Sequence, residues 1–165
     1  FEDLAGERVI SCPRTSLRPQ AQAQTNSGAG DKPQPVVGDV ATLVLHDTYQ
    51  LTPDRVKSYS VEGNSIHYEQ EAAERAGFRA PLIGGGMGVH NLTAQMWHDR
   101  RPKSFAASIY FRRPIFWDEA VQVGVIEEGD GWMGMSLLKL PMAGTAASQP
   151  AKVGTELSLA SYQLA

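Results

Sequence analysis

A chain of 165 residues has room for one domain with a real core and little space for a second. With 42% hydrophobic and 20% charged residues it is composed like a globular protein, and a formal net charge of -3 argues against bulk attraction to nucleic acid. No apolar run approaches the roughly 18 residues of a membrane span. The single cysteine, Cys12, excludes an internal disulfide and fits a reducing, cytoplasmic compartment.

The start at Phe1 has neither an initiator methionine nor a signal-peptide pattern, as expected of a processed chain or a piece of a longer one. Arg8-Val9-Ile10-Ser11-Cys12 reads as one short strand. Pro13 to Pro35 is rich in Pro, Gln, Ser, Gly and Ala and poor in large apolar residues. Such a run cannot bury enough surface to offset its ordering entropy. Residues 1–35 are therefore expected to be an arm, a linker or the end of an upstream domain, and 36–165 the folded domain.

Val40 to His46 is nearly all apolar and predicts a strand buried on both faces. Thr52-Pro53-Asp54 is a helix start: a capping hydroxyl, a proline at the first position, and a carboxylate at the positive end of the dipole. Gly63 and Asn64 end that helix. Tyr68 to Ala76 holds good helix formers, closed by Gly77. A further helix is expected from about Met87 to His98, with Val89, Leu92, Thr93 and Met96 on its apolar stripe and the whole helix largely buried. The last third predicts four strands: Ala106–Phe111, Ala120–Ile126, Trp132–Leu140 and Val153–Tyr162, separated by Gly- and Pro-rich turns. The order strand, helices, antiparallel strands implies an α+β domain whose curved antiparallel sheet wraps a central helix.

Two features carry chemistry. Glu62 and His67, five positions apart around a helix end, can share one water: one takes its proton and the other orients it or protonates a leaving group. Gly84-Gly85-Gly86 precedes a helix and offers unpaired N–H groups where an enolate oxygen can be held. The common meanings of such features are a surface glutamate, a capping histidine and a plain turn. His90 and His98 are eight apart, too far for a metal pair on one helical turn, so no metal is expected. No dinucleotide- or Walker-type glycine pattern is present, and no cofactor is expected. Arg100, Arg101 and Lys103, and the pair Arg112-Arg113, can meet phosphates or simply be solvated. Trp97, Trp117 and Trp132 are expected in core or interface.

The run Glu62-Gly63-Asn64-Ser65-Ile66-His67 resembles the signature of the MaoC-like, (R)-specific enoyl-CoA hydratases and dehydratases of hotdog fold. That signature is an aspartate, one free position, Asn-Pro, an apolar residue, then histidine. Glu71-Ala72-Ala73, Gly77-Phe78, Pro81-Leu82-Ile83 and the triple glycine follow at the family's spacing without a gap. Phe111-Arg112-Arg113-Pro114-Ile115-Phe116 is similar to its Phe-x-x-Pro strand end. Here Glu62 replaces the aspartate, Ser65 the proline, and the three glycines a His-Gly-Met. The resemblance implies Glu62 and His67 as catalytic pair and the Gly85 amide as oxyanion hole. Asn64, Gly84, Gly86, Arg112 and Arg113 are expected to meet substrate. It implies a trans-2-enoyl thioester substrate, carried on CoA or a carrier protein, and a dimer with itself or a related hotdog chain. The departures leave open a catalytically silent subunit that completes a partner's acyl tunnel. A hotdog thioesterase would need a carboxylate on the central helix, and Met87 to Trp97 holds none.

Overall fold

The strands of the last third are built on apolar residues at every second position. Val121, Val123 and Val125 are each wholly buried, and so are Leu137 and Leu157 on neighbouring strands. The computed structural model describes residues 33–60, 63–141 and 150–164. Gln34–Ala165 forms one unit. Its elements are β1 (Val44–Gln50), α1 (Pro53–Tyr59), α2 (Gln70–Arg75), α3 (Gly85–Asp99), β2 (Pro102–Phe111), β3 (Ala120–Glu128), β4 (Gly131–Lys139) and β5 (Lys152–Leu164), with 3-10 turns at Val40–Thr42 and Ser65–His67. Among the described residues one antiparallel sheet runs in the order β1-β3-β4-β5-β2. Register shifts in every strand pair, such as that between Ile126 and Glu127, bend the ladder. The sheet curls around α3, which packs on β2, β3, β4 and β5. This is the expected hotdog arrangement. No helix among the described residues is long and apolar enough to cross a membrane.

The local signals act as expected at several points. Thr52 Oγ1 accepts from Arg55 N at 3.3 Å, with Pro53 opening α1. Gly63 and Gly77 take positive φ, 115° and 84°, where a side chain would be strained. The predicted strands appear at Pro102–Phe111, Ala120–Glu128, Gly131–Lys139 and Lys152–Leu164, longer at most ends. The expected strand at Arg8–Cys12, Cys12 itself, most of the Pro-rich run and Glu62 lie outside the described residues.

Two expectations are corrected. The strand predicted to begin at Val40 begins at Val44, because Asp39 accepts from Ala41 N at 2.9 Å and caps a 3-10 turn. It is an edge strand paired with β3 alone, so Val44 and Leu45 are exposed rather than buried on both faces. The inward face of α3 is Met87, Gly88, Asn91, Leu92, Gln95 and Met96, which turns Val89 and Thr93 to its flank. Gln95 can be buried because Tyr49 Oη donates to its Oε1 at 3.3 Å and its Nε2 donates to Asp99 Oδ2 at 2.8 Å. The tryptophans divide: Trp132 lies in the core, Trp117 packs against it, and Trp97 is exposed.

β5 crosses the turn after β2 so tightly that Gly154 leaves no space for a side chain. A Cβ there would sit 2.6 Å from Ile115 Cδ1 and 3.1 Å from the Leu137 carbonyl oxygen. Ile115 is buried and the carbonyl belongs to the sheet, so neither can give way easily. Gly154→Ala is expected to destabilise by about 1–3 kcal/mol, the usual range for overpacking. Urea denaturation reads this, and an unchanged midpoint would contradict the packing described.

Candidate functional site

The site grows out of the turn after α1. Asn64 caps the short turn Ser65–His67, its Oδ1 accepting from Ile66 N at 3.3 Å. That turn aims His67 at the segment Pro81–Ile83. His67 Nδ1 lies 2.8 Å from the Leu82 carbonyl oxygen. A carbonyl only accepts, so Nδ1 carries the proton and a neutral ring keeps its lone pair on Nε2.

Leu82 is held from both sides. Its N–H donates to Ile66 O at 3.3 Å, and it forms an isolated bridge with Phe116. Ile83 N donates to Ile115 O at 2.9 Å, and Trp117 N to Pro81 O at 3.0 Å. Arg79 fastens the start of the segment. Its two terminal nitrogens each reach Asp118 at 2.8 Å, one also reaches Glu119 at 3.2 Å, and the guanidinium stacks 4.2 Å from the Phe116 ring.

The Arg79 hydrogen bonds hold the Asp118 carboxyl below its ordinary value, against the opposing effect of burial. A depressed folded value means the pair stabilises the fold above the unfolded carboxyl range, near pH 4. That contribution is lost as pH falls through the lower folded value. Asp118→Asn removes it at neutral pH. Both side chains are about 40% exposed, which keeps the effect to about 1 kcal/mol or less. Urea midpoints of variant and parent should differ at pH 7 and converge at strongly acidic pH; equal midpoints at pH 7 would remove the clamp.

Directly after this segment Gly84 caps α3 without a side-chain hydrogen bond to the helix end. His67 Nε2 lies 3.9 Å from the point where a Gly84 Cβ would stand. At Gly85 a Cβ would be 2.7 Å from Phe111 Cζ, so only glycine lets the ring approach the helix start this closely. His67, Gly84 and Gly85 line one cavity of about 430 Å³, whose other walls include Phe78, Leu82, Ile83, Phe111 and Ile115. The arrangement combines an imidazole lone pair, first-turn amides at the positive end of a helix, and an apolar chamber.

Other expected residues are placed differently. Gly86 is not part of this cavity's lining, and its Cβ position is 3.5 Å from Tyr59 Oη. Arg112 and Arg113 line the cavity but are also engaged elsewhere. Arg112 Nε donates to Glu156 at 2.6 Å and its Nη2 to Gln34 O at 2.7 Å, while Arg113 Nη1 donates to Val153 O at 3.0 Å. Glu62 lies outside the described residues. The carbonyl of Leu82, the Arg79 clamp and the Phe111 ring were not expected at the site. A carbonyl leaves no sequence signal, but Phe111 stood in the strand-end motif.

No protein-family model matches the chain, and no curated protein matches it. Solved structures do. HtdX of Mycobacterium tuberculosis superposes with a TM-score of 0.60 at 18% identity, over 87% of this chain and 52% of that one. One chain of the ChsH1–ChsH2 complex of the same organism gives 0.54 at 9% identity, over 77% of this chain and all (100%) of that one. A MaoC-like dehydratase from Phytophthora capsici gives 0.50 at 20% identity, over 68% of this chain. This chain spans 38% of the Phytophthora protein and 52% of HtdX. At these identities the likeness is one of fold, and the fold is the hotdog: an antiparallel sheet wrapped around a central helix.

Proposed function

We propose that this domain adds water across trans-2-enoyl thioesters, with CoA as the carrier, and runs the reverse dehydration of (R)-3-hydroxyacyl thioesters. The observation that carries the reading is the placement of His67 Nε2 beside the glycine start of α3, on the wall of an apolar cavity. In the forward direction the water gives a proton to a base at the site, and its oxygen bonds the β carbon. The π pair moves toward the thioester carbonyl, whose oxygen the Gly85 amide holds. The α carbon then takes a proton, which balances the addition. His67 and Glu62 divide the two proton transfers between them. The helix dipole and the amide lower the energy of the enolate-like oxygen as charge develops there, which is where binding accelerates a reaction. The Phytophthora neighbour, a MaoC-like dehydratase, supports this class of chemistry.

A second hotdog chain belongs in the same proposal. β2 is an edge strand, and Phe105, Ile109 and Phe111 on it are exposed. Such an apolar edge is a template for pairing with another sheet. The likeness to a two-chain complex favours, as a second reading, a subunit that needs a related partner for activity. The test is turnover of trans-2-enoyl-CoAs of graded chain length by the purified protein, with chiral analysis of the product. Hydration to the (R) alcohol is expected. No turnover at any length, alone or with a copurifying hotdog chain, would refute the proposal.

A further inference from the structure

Gly84 has no evident backbone reason to be glycine. Its φ of -64° and ψ of 147° suit any residue. Nor does packing demand it, since a Cβ would meet its neighbours at 3.6–4.0 Å, ordinary contact distances. Those neighbours are Ser60 Oγ at 3.6 Å and His67 Nε2 and Cε1 at 3.9 and 4.0 Å. What the missing side chain does is leave a gap between a hydroxyl and an imidazole lone pair.

Ser60 is held by its backbone. As the C-cap of α1 its N–H donates to Val56 O at 3.0 Å and Lys57 O at 3.1 Å. Its hydroxyl bonds no described residue. A half-buried hydroxyl with no partner among the described residues is available to a guest.

We propose that Ser60 is a further catalytic residue, whose hydroxyl and His67 Nε2 together hold the reacting oxygen in the gap over Gly84. This rests on the hydratase reading above. In hydration that oxygen is the attacking water. Ser60 donates to one lone pair, the water donates one hydrogen to Nε2, and the second lone pair is left to bond the β carbon. The proton taken by His67 is matched by the one delivered to the α carbon, so nothing further is consumed. In dehydration the same two groups hold the departing β-hydroxyl, with His67 returning the proton. Two anchors fix the direction of attack where one would leave the water free to swing, and misplacement by about 1 Å can cost on the order of a hundredfold.

Three variants test this with one activity-independent measurement. Ser60→Ala is expected to lower kcat by about 10–100-fold with KM for the enoyl thioester little changed, and Ser60→Thr, which keeps the hydroxyl, to recover most of it. Gly84→Ala is expected to melt like the parent and lose at least about a hundredfold, because a methyl 3.6 Å from Ser60 Oγ and 3.9 Å from His67 Nε2 crowds and displaces an oxygen held between them. Ser60→Ala within about twofold of the parent kcat would overturn the assignment. If the parent hydrates nothing, the hydratase reading falls on its own, and a high-resolution crystal structure decides the rest. A water bonded to both Ser60 Oγ and His67 Nε2, and lost in Gly84→Ala, supports the shared site. A water bonded to only one of them, or none, overturns it.

Discussion

His67→Ala is expected to lower kcat/KM for a trans-2-enoyl thioester by about 10²–10⁴-fold, the range that a positioned proton-transfer group supplies. The fold should survive. The ring is only partly buried, and its one hydrogen bond to a described residue goes to the Leu82 carbonyl at 2.8 Å. Losing it costs on the order of 1 kcal/mol. Leu82 keeps its own anchors to Ile66 and Phe116, so the start of α3 stays in place. The readout is therefore a large loss of rate beside a nearly unchanged thermal melt. A variant that keeps more than about a tenth of the parent rate would show that the base lies elsewhere.

Glu156→Ala is expected to cost about 3 kcal/mol of stability. Glu156 is 1% exposed and accepts from Arg112 Nε at 2.6 Å, from Val37 N at 3.1 Å and from Val36 N at 3.3 Å. The carboxylate ties β5 and the residue after β2 to the backbone of Val36 and Val37 ahead of β1. Truncation takes the acceptor from Arg112 Nε and from two amides, and removing one partner of a buried pair usually costs about 3–5 kcal/mol. Arg112 keeps 21% exposure, so water recovers part of that and the lower end applies. Chemical denaturation measures it. A loss below about 0.5 kcal/mol would contradict the role of the Glu156 carboxylate as a strut.

What the sequence revealed was local. A threonine followed by proline started α1, a glycine tolerant of positive φ closed α2, and period-two valines marked β3, whereas α1 ends at Ser60 and not at the expected Gly63. These act within a few residues, so the chain states them directly. The hotdog arrangement was implied by the family resemblance carried between Glu62 and Phe116, and the expectation that His67 faces the glycine helix start came with that resemblance. The missed features depend on distant partners. β1 was read as buried because its residues are apolar, but its place at the sheet edge is decided by β3, some seventy residues on. The inward face of α3 includes Gln95, which is acceptable only because Tyr49 and Asp99 complete its hydrogen bonds. The ion pair of Arg112 with Glu156, 44 residues away, could not be read from the chain. Ser60 carried no signal of its own in the sequence, and its meaning depends on a side chain that Gly84 does not have.

The most direct measurement is a crystal structure with an unreactive enoyl-thioester analogue bound. The account predicts the carbonyl oxygen within hydrogen-bond distance of the Gly85 amide, the β carbon facing His67 Nε2, and the acyl chain along Phe78, Leu82 and Ile115. An analogue seated elsewhere, or in this cavity with its carbonyl turned away from the helix start, would contradict it.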